Sequence, residues 1–451
     1  MKTTRPRKTI ASYIAAAGVL VLGLAQPTLA QETEPQQASG QPQEANAEQN
    51  EEFRSGFENV PEFGGSNSVG ATLRKDNAVK EETVFRFEGI QRGLKPYFDW
   101  KGRIKEQHGL ALGSDYTVLY QAAGESPGEK DAASGILRLF GTWNVLGRGT
   151  GNTGSLVYKI ENRHKLGTNI VPQDLGFVVG YAGLTAAPFS DIRWALTNLN
   201  WQQKFKAGRV SFVAGIVDAT DYVDIYGLAN PWTQFSNLAF LTDPTIPVPN
   251  QGLGAAVGAM ATDHIYVVAG LADANGDPTD PGNAFESFFN DNEYFKHVEV
   301  GWTSSRERIW FDNIHLTAWQ SDERNKAGVP EGSGWAFSFA RFINEKWMPF
   351  VRAGASDGGG GALWERSVST GFGHYMKGRR DLFGLGLNWS RPSEKTFTPG
   401  LRDQYTAEFF YRIQLSQNFA ITPDVQLLID PALNPAEDQI WIIGLRARLA
   451  L

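Results

Sequence analysis

The sequence predicts an all-β fold: a transmembrane antiparallel β-barrel of about 16 strands, with a short N-terminal helical segment in front of it. Three observations lead there. From Leu110 onward, segments of roughly ten residues alternate apolar and polar side chains and are separated by Gly, Pro, Asp and Asn. Aromatic residues crowd the segment ends: Trp143, Trp201, Trp302, Trp310, Trp389, Tyr405, Tyr411 and Trp441. Finally, the polar faces carry charge, and no linker follows residue 53, where a soluble β architecture of this size would divide into domains.

The N-terminus carries a targeting pattern. Lys2, Arg5, Arg7 and Lys8 precede the apolar run "IASYIAAAGVLVLGLA", and "PTLA" ends in small residues at Ala30. This matches a secretory signal peptide over residues 1–30, too short to be the ~20-residue helix that spans a bilayer. Its removal takes four basic residues and no acid from a chain of net charge -7, leaving -11. Residues 31–52 are acidic, Gln-rich and poor in apolar side chains, and are expected to stay disordered. Residues 53–109 form an irregular segment with a helical patch near 90–109, interrupted by Gly93, Pro96 and Gly102.

Residues 110–451 are the predicted barrel. In "SLVYKIENR", Leu156, Tyr158 and Ile160 share one face and Lys159, Glu161 and Arg163 the other. In "QYTAEFFYRIQ", Tyr405, Ala407, Phe409 and Tyr411 oppose Thr406, Glu408 and Arg412. The last segment, "DQIWIIGLRARLAL", sets Trp441, Ile443, Leu445, Leu449 and Leu451 against Arg446 and Arg448. An apolar outside facing lipid and a charged inside facing water accounts for this, and closure onto the first strand removes edges that lipid would not tolerate. Brief links near 206–207, 262–263, 304–308, 344–346 and 415–417 alternate with long ones at 165–193, 219–251, 274–293, 321–332 and 391–402. A meander with tight turns at one end and loops at the other fits.

Composition excludes several chemistries. The absence of Cys excludes disulfides and thiolate chemistry, and an excess of 49 acidic over 42 basic residues is a poor footprint for nucleic acid. The six histidines show no metal-ligand spacing, and no nucleophile–base arrangement is present, so neither an enzyme nor a cofactor is expected. "DANGDP" (273–278) has Pro278 and Ala284 where a calcium loop requires Gly and Glu, and reads as a surface turn. "GGGG" (358–361) reads as a flexible turn, and Asp218, Asp221 and Asp224 as braces for a loop at a strand end.

Several stretches resemble the carbohydrate-selective (OprB-type) porins. "YRIQLSQNFAITPDVQLLIDPALNP" followed by "IIGLRARL" is similar to the C-terminal signature of that family. "IPVPNQGLGAAVGAMATDHIYVVAGLADANGD", "FVRAGASDGG" and "FVAGIVDATDYVD" resemble internal segments, and the likeness covers roughly residues 90–451. The chain ends in Leu451 where barrel assembly commonly favours Phe. The resemblance implies a 16-stranded barrel in the outer membrane of a Gram-negative bacterium, reached through the periplasm, in contact with lipid and lipopolysaccharide. It implies passive diffusion of mono- or small oligosaccharides, with a general diffusion pore or a barrel plugged by 53–109 as the alternatives. Arginine forks, carboxylates and aromatic faces suit sugar hydroxyls and rings, provided each contact is weak enough to release. The candidate pore-lining residues are Arg138, Lys159, Glu161, Arg163, Trp319, Arg352, Glu408, Arg412 and Arg446. Their mixed signs suit neutral cargo. The constriction is expected where inward charge is densest, between the strands 153–164 and 403–414.

Overall fold

The computed structural model describes residues 63–78, 80, 83–376 and 380–451. The expected signal peptide (1–30), the expected acidic leader (31–52) and residues 53–62 lie outside the described residues. Sixteen antiparallel strands, each hydrogen-bonded to its neighbours in chain order, close into one barrel. They are β1 (Leu110–Ala123), β2 (Asp131–Leu146), β3 (Gly154–Lys165), β4 (Arg193–Phe205), β5 (Val210–Val217), β6 (Gly252–Met260), β7 (Ile265–Asp273) and β8 (Tyr294–Thr303). The second half comprises β9 (Asn313–Ser321), β10 (Gly332–Ala340), β11 (Trp347–Ser356), β12 (Trp364–Met376), β13 (Asp381–Pro392), β14 (Gln404–Gln414), β15 (Phe419–Ile429) and β16 (Gln439–Ala450).

Closure is made by β1 against β16, from Asp115 opposite Ala450 to Ala123 opposite Ile442. Beyond that ladder the Leu451 amide donates to the Ser114 carbonyl at 2.7 Å, and the Ser114 amide returns the bond at 3.1 Å. No strand edge is left for lipid to desolvate.

The burial pattern inverts that of a soluble sheet. On β8, His297 and Glu299 are buried while Val298, Val300 and Trp302 are exposed. On β16, Arg446 and Arg448 face inward, and Trp441, Ile443, Leu445 and Leu449 form the exposed stripe. Apolar side chains pointing away from the protein in every strand are stable only against hydrocarbon. Outward aromatics collect at both strand ends, with Trp143, Trp302 and Trp347 towards the short turns and Trp335 and Trp441 towards the long loops. Trp310 departs from the expected girdle. β9 begins only at Asn313, and the preceding residues fold into a one-turn helix (Arg306–Arg308) closed by an Arg308–Asp312 ion pair at 2.8 Å. Trp310 is buried there against Phe311, so its apolar alternation reflects packing beneath a turn rather than a lipid face.

Two helices precede the barrel. α1 (Val69–Asn77) starts at Ser68, whose hydroxyl accepts from the Ala71 amide. Its Val69 and Leu73 pack on Phe140 and Val157 of the lumen wall. α2 (Glu88–His108) runs through Gly93, Pro96 and Gly102, which the sequence marks as interruptions. Its apolar residues keep helical spacing across all three, and Gly109 ends it at φ 73° in the left-handed region that glycine adopts without strain.

Candidate functional site

The connection between β5 and β6, residues 218–251, turns into the barrel and is held by lumen-facing side chains of many strands. Glu408 on β14 accepts the amides of Ser236 (2.7 Å) and Asn237 (3.0 Å). Arg446 on β16 donates to the carbonyls of Pro231 and Gln234. Arg352 on β11 reaches the Leu241 carbonyl and the Asp224 carboxylate, which His315 also contacts at 3.1 Å. Gln426 on β15 bonds Ser236 and Thr185. A loop buried in a polar lumen must find partners for its backbone amides and carbonyls, and these side chains supply them.

The loop also carries apolar side chains inward. Phe235 and Phe240 pack on Phe350 and Phe410 of the wall, with ring centroids 4.9 Å apart for Phe235–Phe410. Space for them comes from glycines on β13: a Cβ at Gly384 would stand 2.4 Å from the Phe410 ring, and one at Gly386 would stand 2.6 Å from Phe240. One side of the lumen is thereby filled.

On the side of β3 a cavity of about 490 Å³, lined by apolar and polar side chains alike, stays open, within the ~300–1,000 Å³ typical of small-molecule sites. Lys159, Glu161 and Arg163 of β3 line it, facing Trp232, Asp218 and Gln251 of the loop. Their charges alternate in space. Asp218 lies 3.4 Å from Lys159, Lys159 lies 4.0 Å from Glu161, and Glu161 lies 2.6 Å from Arg163. A bulge sets this up. Lys159 pairs with Asn198 and Ile160 with Leu196, so Thr197 of β4 is unopposed. Thr197 and Asn198 are consequently both buried, with the Thr197 hydroxyl on the Lys159 carbonyl and the Asn198 amide on Asp221 at 3.2 Å.

Beneath lies a smaller cavity of about 70 Å³, lined by Asn198, Asn200, Asp221, Tyr222 and residues at the start of α1. Asp218 lines both cavities, so the Lys159–Asp218 pair stands between them. Burial works to raise the Asp218 carboxyl, but Lys159 and hydrogen bonds from Thr220 and Gln251 hold it below its ordinary value. Burial pushes Asp221 up to about 7, opposed by Lys159 and reinforced by the Asp218 charge. The segment before and along α1 narrows the same side. The Gly65 amide donates to the Asp221 carbonyl, Trp232 donates to Asn67, and Asp76 pairs with Arg448 at 2.6 Å.

Of the nine candidate residues, Lys159, Glu161 and Arg163 line the larger cavity. Glu408, Arg352 and Arg446 hold the infolded loop. Arg138 is bidentate to Asp115 at 2.8 and 2.5 Å, and its guanidinium stacks 3.9 Å from the Trp232 ring. Trp319 is buried beside Phe295 in the wall. Arg412 lies near the short turns, over Tyr375 and within reach of the Arg380 carbonyl. The two strands expected to frame a constriction are thus five steps apart around the barrel, with the loop between them. Asp218, Trp232 and Gln251 were not among the candidates, and the length of the 219–251 connection is the signal that points to them. Asp224 braces the loop as expected, whereas Asp218 and Asp221 also face the cavities. In "DANGDP", Asp273 and Asp277 cap the Asn275 and Thr279 amides.

A closed 16-stranded barrel with a lipid-facing exterior, charged lumen walls and an inward loop defines an outer-membrane β-barrel of the porin class. Residues 108–451 match the model of the carbohydrate-selective porin, OprB family. The chain belongs to that family. It superposes on the high-pH structure of Pseudomonas putida OprB with a TM-score of 0.65 at 14% identity, covering 79% of this chain and 97% of that one. Curated relatives include porin AaxA of Chlamydia felis, 26% identical over 205 residues, and porin AaxA of Chlamydia pneumoniae, 30% identical over 133 residues. These matches span 44% and 27% of this chain, and 45% and 30% of the relatives, less than half of each.

Proposed function

We propose that this chain is a passive diffusion channel for neutral sugars, mono- or small oligosaccharides, which pass along the β3 side of the lumen. The observation that carries this reading is the 490 Å³ cavity, in which alternating charges face an aromatic ring that Arg138 holds in place. Arg163 and Glu161 offer a donor fork and a carboxylate to paired hydroxyls, and Trp232 offers a surface to the ring face. Neighbouring opposite charges cancel much of each other's field, which disfavours selection of either ion. Contacts of this kind exchange with water, so a sugar can enter and leave. Export through the periplasm on the 1–30 signal belongs to the same proposal.

Liposome swelling with the purified protein tests it. Glucose is expected to swell the vesicles faster than an uncharged non-sugar of equal size. Equal rates support a general diffusion pore, and no swelling with either solute supports a barrel plugged from its N-terminal side. Either result overturns the sugar reading.

A further inference from the structure

Residues 63–80 precede the stretch that matches the family, which begins at 108, yet they lie inside the lumen at its short-turn end. They touch the wall around half of the barrel. A Cβ at Gly258 of β6 would stand 2.5 Å from the Phe63 ring, and one at Gly113 of β1 would stand 3.0 Å from Leu73. Val69 and Leu73 of α1 pack on Phe140 of β2 and Val157 of β3. Asp76 is bidentate to Arg448 of β16 at 2.8 and 2.6 Å. The segment leaves at the turn after β14, where Gln417 accepts the Lys80 amide at 2.9 Å and donates to the Ala78 carbonyl at 2.8 Å. β6 and β14 are eight steps apart in the ring of sixteen.

Above, the same residues bear on the infolded loop. The Ser66 hydroxyl donates to the Ala229 carbonyl at 3.0 Å, the Asn230 side chain donates to the Ser66 carbonyl at 2.8 Å, and Lys75 donates to the Thr233 hydroxyl at 3.0 Å. Asn67 accepts from the indole of Trp232, and both line the larger cavity. Phe63, Gly64, Ser68 and Val69 line the smaller one. The open space falls from about 490 Å³ to about 70 Å³ where the segment lies. At ~30 Å³ per molecule the lower cavity holds about two waters, which is too little room for a hexose ring. A sugar that continues past Lys159 and Asp218 has to displace the segment. Its ties to the loop are single hydrogen bonds, which water replaces at small net cost.

We propose that residues 63–77 are the exit gate of the channel: the segment yields to let a sugar leave the lumen and, when seated, passes only water and small ions. The inference rests on the sugar path along β3 and adds to it a size limit, held by residues outside the family match. Asp76 gives the seated state its charge balance. Arg138 and Arg448 share the one carboxylate of Asp115, and Asp76 supplies the second.

A reversible lock tests the gate. A Cβ at Gly65 would stand 3.2 Å from the Ile225 Cβ of the loop, close to the ~3.8 Å found across a disulfide, and the chain has no cysteine of its own. Full-length Gly65→Cys/Ile225→Cys protein would be reconstituted into liposomes and compared oxidised and reduced. Thiol counting reports the bond, and the gel shift on heating reports the fold. Oxidation is expected to slow swelling in glucose several-fold with little change in potassium chloride conductance, and reductant to restore the rate. Leu73→Ala, which loosens α1 on the wall, is expected to do the reverse and speed glucose swelling. Equal glucose rates in the oxidised and reduced forms, with the bond formed, overturn the gate. If the double variant does not fold, an unchanged rate in Leu73→Ala overturns it. Wild-type vesicles that fail to swell in glucose sink the sugar path itself, so the two failures are distinguishable.

Discussion

Arg163 and Arg412 carry the same charge on inward faces of their strands, yet their surroundings assign them different consequences. Arg163 opens into the larger cavity and is held by Glu161, whereas Arg412 lies near the short turns over Tyr375. Arg163→Ala is expected to raise single-channel conductance and weaken block by glucose about ten-fold, the equivalent of one contact worth ~1.4 kcal/mol. Arg412→Ala should leave the block unchanged. Planar-bilayer recording with and without glucose measures both. Asp221 brings pH into the same region, because its carboxyl is raised to about 7. Below that value it is neutral. Above it a negative charge appears beside Lys159, so cation selectivity should rise between about pH 6 and 8, and Asp221→Asn should abolish the step. Reversal potentials across a salt gradient give the readout. Linkage has a definite sign here. The folded state holds the proton more tightly than the unfolded chain, whose carboxyl titrates near ~3.9, so the stability it contributes is lost as pH rises through 7.

The infolded loop is the element that decides the shape of the lumen, and its anchors are distributed over strands far apart in sequence. Glu408→Ala removes the acceptor of two buried amides, at a cost of ~1–3 kcal/mol for each group left unsatisfied. The loop is expected to loosen while the barrel persists, giving noisier and larger conductance with an unchanged heat shift on gels. The strand faces obey a different rule. Leu445 is half exposed on the lipid side of β16. Leu445→Lys should destabilise the barrel by about 2–4 kcal/mol near mid-membrane, whereas Arg446, one residue along, faces the lumen and donates to the loop carbonyls of Pro231 and Gln234. Equilibrium unfolding in urea with lipid vesicles separates the two effects.

For the whole molecule, closure between β1 and β16 makes the fold cooperative, since no strand can leave without exposing two edges. Circular dichroism in detergent should be strand-dominated, and unheated protein should migrate differently from boiled protein. A helical spectrum would contradict the architecture. The periodicity that locates sixteen strands is legible because side chains alternate with period 2, and each face meets a different solvent. Boundaries fall within a few residues of expectation for most strands. They drift at β9, where Trp310 and Phe311 pack beneath a turn, whereas the helix expected at 90–109 lies at Glu88–His108 and runs unbroken through Gly93, Pro96 and Gly102.

The sequence by itself determined the strand count, the inward and outward sets of side chains, the long connection between β5 and β6, and the family resemblance. These follow from local rules, because alternation and turn chemistry act over a few residues. Only the tertiary structure decided which inward charges meet an open path. Arg138, Arg352, Glu408 and Arg446 look like Arg163 in the sequence, since each is a charged residue on a lumen face. What separates them is the course of residues 218–251 through the barrel, which covers some walls and leaves β3 open. That course is set by partners as distant as Ser236 and Glu408, 172 residues apart, and no local pattern encodes which carbonyl a given arginine will find.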